Sequence, residues 1–109
     1  MTNNLIGRFY FKQTDNGNLI GEFSNNKNIG VYTESADLMN SSGNYLGKFH
    51  STWQENGKPE FAVLKISQKP KTKGKIFTLT WSTKGKTIFI GEGMMCDNNL
   101  IGDYQKSKI

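Results

Sequence analysis

The chain reads as an all-β protein, an eight-stranded antiparallel up-and-down barrel with little or no helix. Three observations predict this. A short phrase recurs, with Asn, an apolar residue, Leu or Ile, Gly, a charge and an aromatic in that order. It stands at Asn4-Leu5-Ile6-Gly7-Arg8-Phe9, Asn18-Leu19-Ile20-Gly21-Glu22-Phe23, Asn44-Tyr45-Leu46-Gly47-Lys48-Phe49 and Asn99-Leu100-Ile101-Gly102-Asp103-Tyr104. At period two, each copy puts its first apolar residue, its Gly and its aromatic on one face. The second aliphatic and the charge fall on the other, as in a strand that buries one side. Turn signals rich in Gly, Asn and Asp cut the chain at near-regular intervals, and these residues tolerate the positive φ of tight hairpins. No long window carries a 3.6-residue apolar stripe.

Taken in order, the first strand spans 4–12, turns Leu5, Gly7, Phe9 and Phe11 inward, and stops at Asp15-Asn16-Gly17. The second spans 17–24 with Leu19, Gly21 and Phe23 inward, and stops at Asn25-Asn26-Lys27-Asn28. The third, 29–39, runs to Asn40-Ser41-Ser42-Gly43. The fourth, 43–54, gives Tyr45, Gly47, Phe49, Ser51 and Trp53 before Glu55-Asn56-Gly57. On the fifth, 59–68, the even positions Ala62, Leu64 and Ile66 are the inward set, with Phe61 and Val63 in competition. The stretch from Pro70 to Gly74 leads to the sixth, 75–83, with Phe77, Leu79 and Trp81 inward. After Lys84-Gly85 comes the seventh, 86–95, with Phe89, Gly91, Gly93 and Met95; after Asp97-Asn98 the eighth, 98–105, has Leu100, Gly102 and Tyr104. Short connections favour antiparallel neighbours. A meander has two open edges, and pairing the last strand with the first removes both.

The bulk properties agree. At 109 residues the chain suits one domain, 1–109, with a single core. A hydrophobic content of 35% with 12% aromatics is poor in aliphatics and rich in rings, which suits a thin wall filled by large side chains. The lone Cys96 forms no internal disulfide and gives no sign of an oxidising compartment. Neither a basic-then-apolar leader nor an 18-residue apolar run is visible. The expectation is a soluble cytoplasmic protein without a membrane partner, although a processed secreted form looks the same.

The net charge of +5 lies wholly in residues 55–109. Lys65, Lys69, Lys71, Lys73 and Lys75 are all odd-numbered and would share one face of an extended backbone. With Lys84 and Lys86 in the next hairpin they make a candidate basic end of the barrel, an anion or partner patch. The competing role is protection of strand edges. Arg8 is the only arginine, which weighs against nucleic acid as the partner, because bidentate base contacts rely on arginine.

The candidate chemistry is sparse. With one His and one Cys, the metal clusters built from those residues are excluded. His50 alternates outward, and Cys96 has no adjacent base or cation to activate it. Glu92, between Gly91 and Gly93, faces outward unless a bulge turns it in, where it would be a buried acid. No catalytic triad, phosphate loop or carboxylate pair appears, so no catalytic residue, metal or cofactor is assigned and a non-enzyme is expected. Inward glycines beside large rings have two competing roles. Either they allow the coiling that closes a filled barrel, or they leave a pocket lined by Trp53, Trp81 and Tyr104.

The strand count, the meander order and the phrase Gly17-Asn18-Leu19-Ile20-Gly21-Glu22-Phe23 resemble the calycin-type barrels, the group of lipocalins, fatty-acid-binding proteins and avidins. Phe77-Thr78-Leu79-Thr80-Trp81, Gly91-Glu92-Gly93-Met94 and Leu100-Ile101-Gly102-Asp103-Tyr104 are similar to closing strands of small bacterial barrels of this kind. Gly7-Arg8-Phe9 stands where lipocalins and many avidins have Gly-x-Trp, and the avidin biotin contacts have no counterpart here. The inward rings beside inward glycines point to ligand binding inside the barrel. The expected site residues for a small apolar or aromatic ligand are Tyr45, Phe49, Trp53, Trp81, Phe89 and Tyr104. The alternative is a filled barrel that binds protein through its outer surface. That alternative includes self-association through the outward aliphatics Ile6, Ile20, Leu46, Ile88, Ile90 and Ile101. Nucleic-acid binding by the lysine hairpins is the weakest of the three.

Overall fold

The computed structural model describes residues 4–107. Eight strands run in order: β1 (Ile6–Gln13), β2 (Leu19–Asn25), β3 (Tyr32–Gly43), β4 (Leu46–Glu55), β5 (Lys58–Gln68), β6 (Phe77–Thr83), β7 (Lys86–Cys96) and β8 (Asn99–Lys106). Each pairs antiparallel with the next, and β8 pairs back onto β1 with Phe9 opposite Gly102, so the sheet closes into an up-and-down barrel. No helix among the described residues is long and apolar enough to cross a membrane.

The expected boundaries hold within a few residues except on β3. Residues 29–31 belong to the β2–β3 connection, because the Asn25 side-chain oxygen accepts the N–H groups of Lys27 and Asn28, at 2.9 and 3.1 Å, and bends the chain there. At its other end β3 runs on to Gly43 through two register shifts, between Leu38 and Asn40 and between Ser41 and Gly43.

Alternation assigns the interior well. Phe9, Phe11, Leu19, Phe23, Phe49, Leu64, Ile66, Leu79, Trp81, Leu100 and Tyr104 are buried, and the even positions of β5 face in. Met95 departs from the expectation and stays 40% exposed. It lies at the rim beside the final turn, where its cross-strand partner Leu100 fills the inside. Ile88 also departs. The register slips between Trp81 and Ser82, so Ile88 is the extra residue of a bulge and packs inward. Leu46 likewise packs against the core, so neither belongs to the outer wall.

The inward glycines are not empty space. A Cβ on Gly7 would stand 2.2 Å from the Tyr104 ring, which occupies that position. At Gly102 the intruder would be backbone, the Glu92 carbonyl oxygen at 2.0 Å. Without a Cβ at these positions, rings lie over the wall and neighbouring strands approach closely.

In a meander, consecutive hairpins alternate between ends. The β1–β2, β3–β4, β5–β6 and β7–β8 connections gather at one end, and the β2–β3, β4–β5 and β6–β7 connections at the other. Tyr45 closes the first end. Its hydroxyl accepts the Gln13 N–H at 2.9 Å and donates to the Asn98 carbonyl at 2.8 Å, while the Tyr45 N–H donates to Gln13 Oε1 at 3.0 Å. One side chain thus ties three turns together.

Gly102→Ala is expected to lose about 3 kcal/mol in urea denaturation, because the new methyl group meets rigid backbone. Gly57→Ala, with nothing within 4 Å but φ at +77°, should lose only about 1 kcal/mol of conformational strain. Equal losses would show that steric closure is not what Gly102 provides.

Candidate functional site

The chemistry gathers at the second end, below the β2–β3 and β4–β5 connections. Glu34 points inward from β3 and is only 6% exposed, opposite Trp53 in the strand register. The Ser51 hydroxyl donates to its Oε2 at 2.5 Å, and the Trp81 indole N–H donates to the same oxygen at 2.8 Å. Neither donor is charged, and Glu34 forms no ion pair among the described residues. Burial pushes its carboxyl up to about 7, against the opposing pull of the Ser51 and Trp81 hydrogen bonds.

Above Glu34 lies a cavity lined by Phe9, Phe23, Trp53, Trp81, Phe89 and Tyr104, with Glu55 at the rim. Its free volume is about 20 Å³, room for a single water molecule. The rings meet edge to face. Phe89 and Tyr104 have centroids 5.6 Å apart, Trp53 and Phe89 6.3 Å, and Trp81 and Phe89 6.5 Å. Trp53 and Phe89 are only half-buried and form the outer part of the lining. Asn25 Nδ2 donates to the Tyr104 hydroxyl at 3.0 Å and to Glu55 Oε2 at 3.1 Å, and the Asn28 side chain donates to the same Glu55 oxygen. Burial is the main cause that pushes the Tyr104 hydroxyl up to about 12, so it stays protonated. A larger hollow of about 690 Å³ crosses the outer wall near Tyr10, Ile20 and Thr52, but it is an open trough rather than an enclosed space.

Four of the six expected ligand residues, Trp53, Trp81, Phe89 and Tyr104, come together in this cavity. Tyr45 does not; it plugs the opposite end. Phe49 is fully buried and lies outside the cavity lining. The expected basic end does not form. Lys69, Lys71, Lys73 and Lys75 lie on the β5–β6 connection, Lys84 and Lys86 flank the β6–β7 turn at the other end, and Lys65 sits on the wall between them. Nor do the odd-numbered lysines share a face, since Lys71 and Lys73 have φ of 68° and 57° and the backbone there is a turn. Glu92 faces outward, held by Lys69 Nζ at 2.6 Å, and the bulge in β7 lies at Ile88 rather than between the glycines. His50 and Cys96 are exposed. Among the described residues no three His, Cys, Asp or Glu side chains gather as a metal would need.

Glu34 is the residue that sequence reasoning missed. In the segment Tyr32-Thr33-Glu34-Ser35-Ala36-Asp37 the two faces differ little in polarity, so no inward set is assigned to this strand from the sequence. The available signal was period two itself, which puts Glu34 in line with Ala36 and Leu38. No family model, curated protein or solved structure matches the chain.

A raised carboxyl has a definite sign. Below about pH 4.5 Glu34 is protonated both folded and unfolded; between there and about 7 only the unfolded chain releases the proton, so stability falls as pH rises. The full effect is about 3 kcal/mol, from roughly 1.4 kcal/mol per unit. Glu34→Gln should flatten this slope in melts between pH 5 and 8, and an unchanged slope would show that Glu34 does not titrate there.

Proposed function

We propose that this is a binding protein rather than a catalyst, and that it takes a small, flat aromatic or apolar ligand into the cavity above Glu34. One observation carries the reading. A carboxyl buried under aromatic rings is costly for the fold, and both internal donors converge on one oxygen, Oε2. Oε1 is the acceptor left for a hydrogen-bond donor or a cation on the ligand. The surrounding rings suit a flat body and, through their faces, a positive charge. Entry requires Trp53 and Phe89 to give way, because the standing cavity admits one water. The resemblance to calycin-type barrels points the same way. The lysines divide between two ends of the barrel, which disfavours a single polyanion footprint.

Trp53 and Trp81 are the only tryptophans, and both line the cavity, so intrinsic fluorescence reads it directly. Titrated at pH 8 with phenethylamine, benzyl alcohol and phenylacetate, the protein should respond saturably to the amine most strongly and to the carboxylate least. Glu34→Gln should weaken the amine by about tenfold, and Trp81→Phe should weaken all three. A flat response to every probe, or binding indifferent to both substitutions, would remove the cavity as the site.

A further inference from the structure

The outer wall of β7, β8, β1 and β2 carries side chains in tiers fixed by the strand register. One tier holds Ile90 and Ile6 on either side of Gln105. Another holds Met94 opposite Ile101 and Ile101 opposite Tyr10. These side chains are apolar yet open to solvent: Ile6 is 56% exposed, Met94 53%, Ile101 43% and Tyr10 40%. The Tyr10 hydroxyl donates to the carboxylate of its cross-strand neighbour Glu22.

Between the apolar tiers runs a charged one. Glu92 stands opposite Asp103, and Asp103 opposite Arg8. Glu92 is taken by Lys69. Arg8 and Asp103 are both exposed cross-strand neighbours, yet they form no ion pair with each other or with any described residue. The wall therefore has an unpaired base on the β1 side of one seam and an unpaired acid on the β8 side.

We propose that this wall binds a second copy of the chain about a two-fold axis that runs along the β8–β1 seam, in the plane of contact. That axis lays β1 of one copy on β8 of the other. Arg8 meets the partner's Asp103, Tyr10 meets the partner's Ile101, and each contact is made twice. A two-fold in the same plane but across the seam would set Arg8 against the partner's Arg8 and acid against acid, so the charges select one arrangement. Tyr and Arg between apolar neighbours are the side chains that dominate association energies. The closed wall is convex, so only the seam strands β8 and β1 meet the other copy; two strands at about 4.8 Å and three tiers at about 6.8 Å make a footprint of roughly 200 Å² per copy. That is about a quarter of a standard interface, which places the dimer at the weak, transient end. The inference is independent of the cavity.

Sedimentation velocity of the wild type from roughly 10 μM to 1 mM should show the mean mass rising from monomer toward dimer. Arg8→Asp and Asp103→Arg, each alone, should weaken association at least tenfold, because every contact then joins like charges. An equimolar mixture of the two should recover it, because every contact again joins opposite charges. Ile101→Lys, an exposed apolar position, should also dissociate the dimer and tests the wall independently of the charge tier. A wild type that stays monomeric at 1 mM overturns the proposal, as does a dimer indifferent to all three substitutions. A mixture of folded variants that fails to associate overturns the two-fold.

Discussion

Closing eight strands on so short a chain leaves an interior that cannot hold a large side chain at every inward position. The wall meets this by exchanging side chains for glycine where another group must pass. The Tyr104 ring lies over Gly7, and the Glu92 carbonyl approaches Gly102 to a distance that no Cβ would permit. Everything else in the structure depends on that exchange. Because the glycines yield their volume to the rings, those rings can crowd edge to face at one end. Because backbones approach closely, the sheet curves enough for β8 to reach β1.

The two ends are built on different principles. One is tied by Tyr45, whose hydroxyl and backbone N–H bind Gln13 and Asn98 across three turns. The other is lined with rings, floored by Glu34 and rimmed by Asn25, Asn28 and Glu55. A sealed end and a polar-rimmed end give the barrel a direction, and the unusual acid sits at the end that faces solvent through half-buried rings. Replacing Glu34 with an apolar residue of similar size would spare the fold the cost of burying a carboxyl.

Much of this was legible from the residues. The repeated phrase assigns Phe9, Phe23, Phe49 and Tyr104 to the interior correctly, because one buried face imposes period two whatever the neighbours are. Alternation tells which face a residue occupies, but not how high along the barrel it stands. Tyr45 and Trp53 have the same inward parity, yet Tyr45 stands in the turn before β4 and Trp53 near the far end of that strand; Lys75 and Lys84 are separated in the same way by the length of β6. Counting hairpins would have shown both. Ile88 was not readable, since a bulge is decided by how two strands mesh rather than by either alone. Glu34 escaped because its strand is polar enough to hide its inward side.

The pairing of β1 with β8 joins segments from opposite ends of the sequence, with Ile6 opposite Gln105. During synthesis on a ribosome, β1 emerges before the other seven strands and waits, unpaired along one edge, until β8 follows. The Tyr45 clamp waits as well, since its acceptor on Asn98 lies just ahead of β8. Closure thus waits on β8, with the costly long-range loop formed last. Until then the nascent barrel is an open sheet that exposes a strand edge and an aromatic face, the form in which a chaperone would meet it.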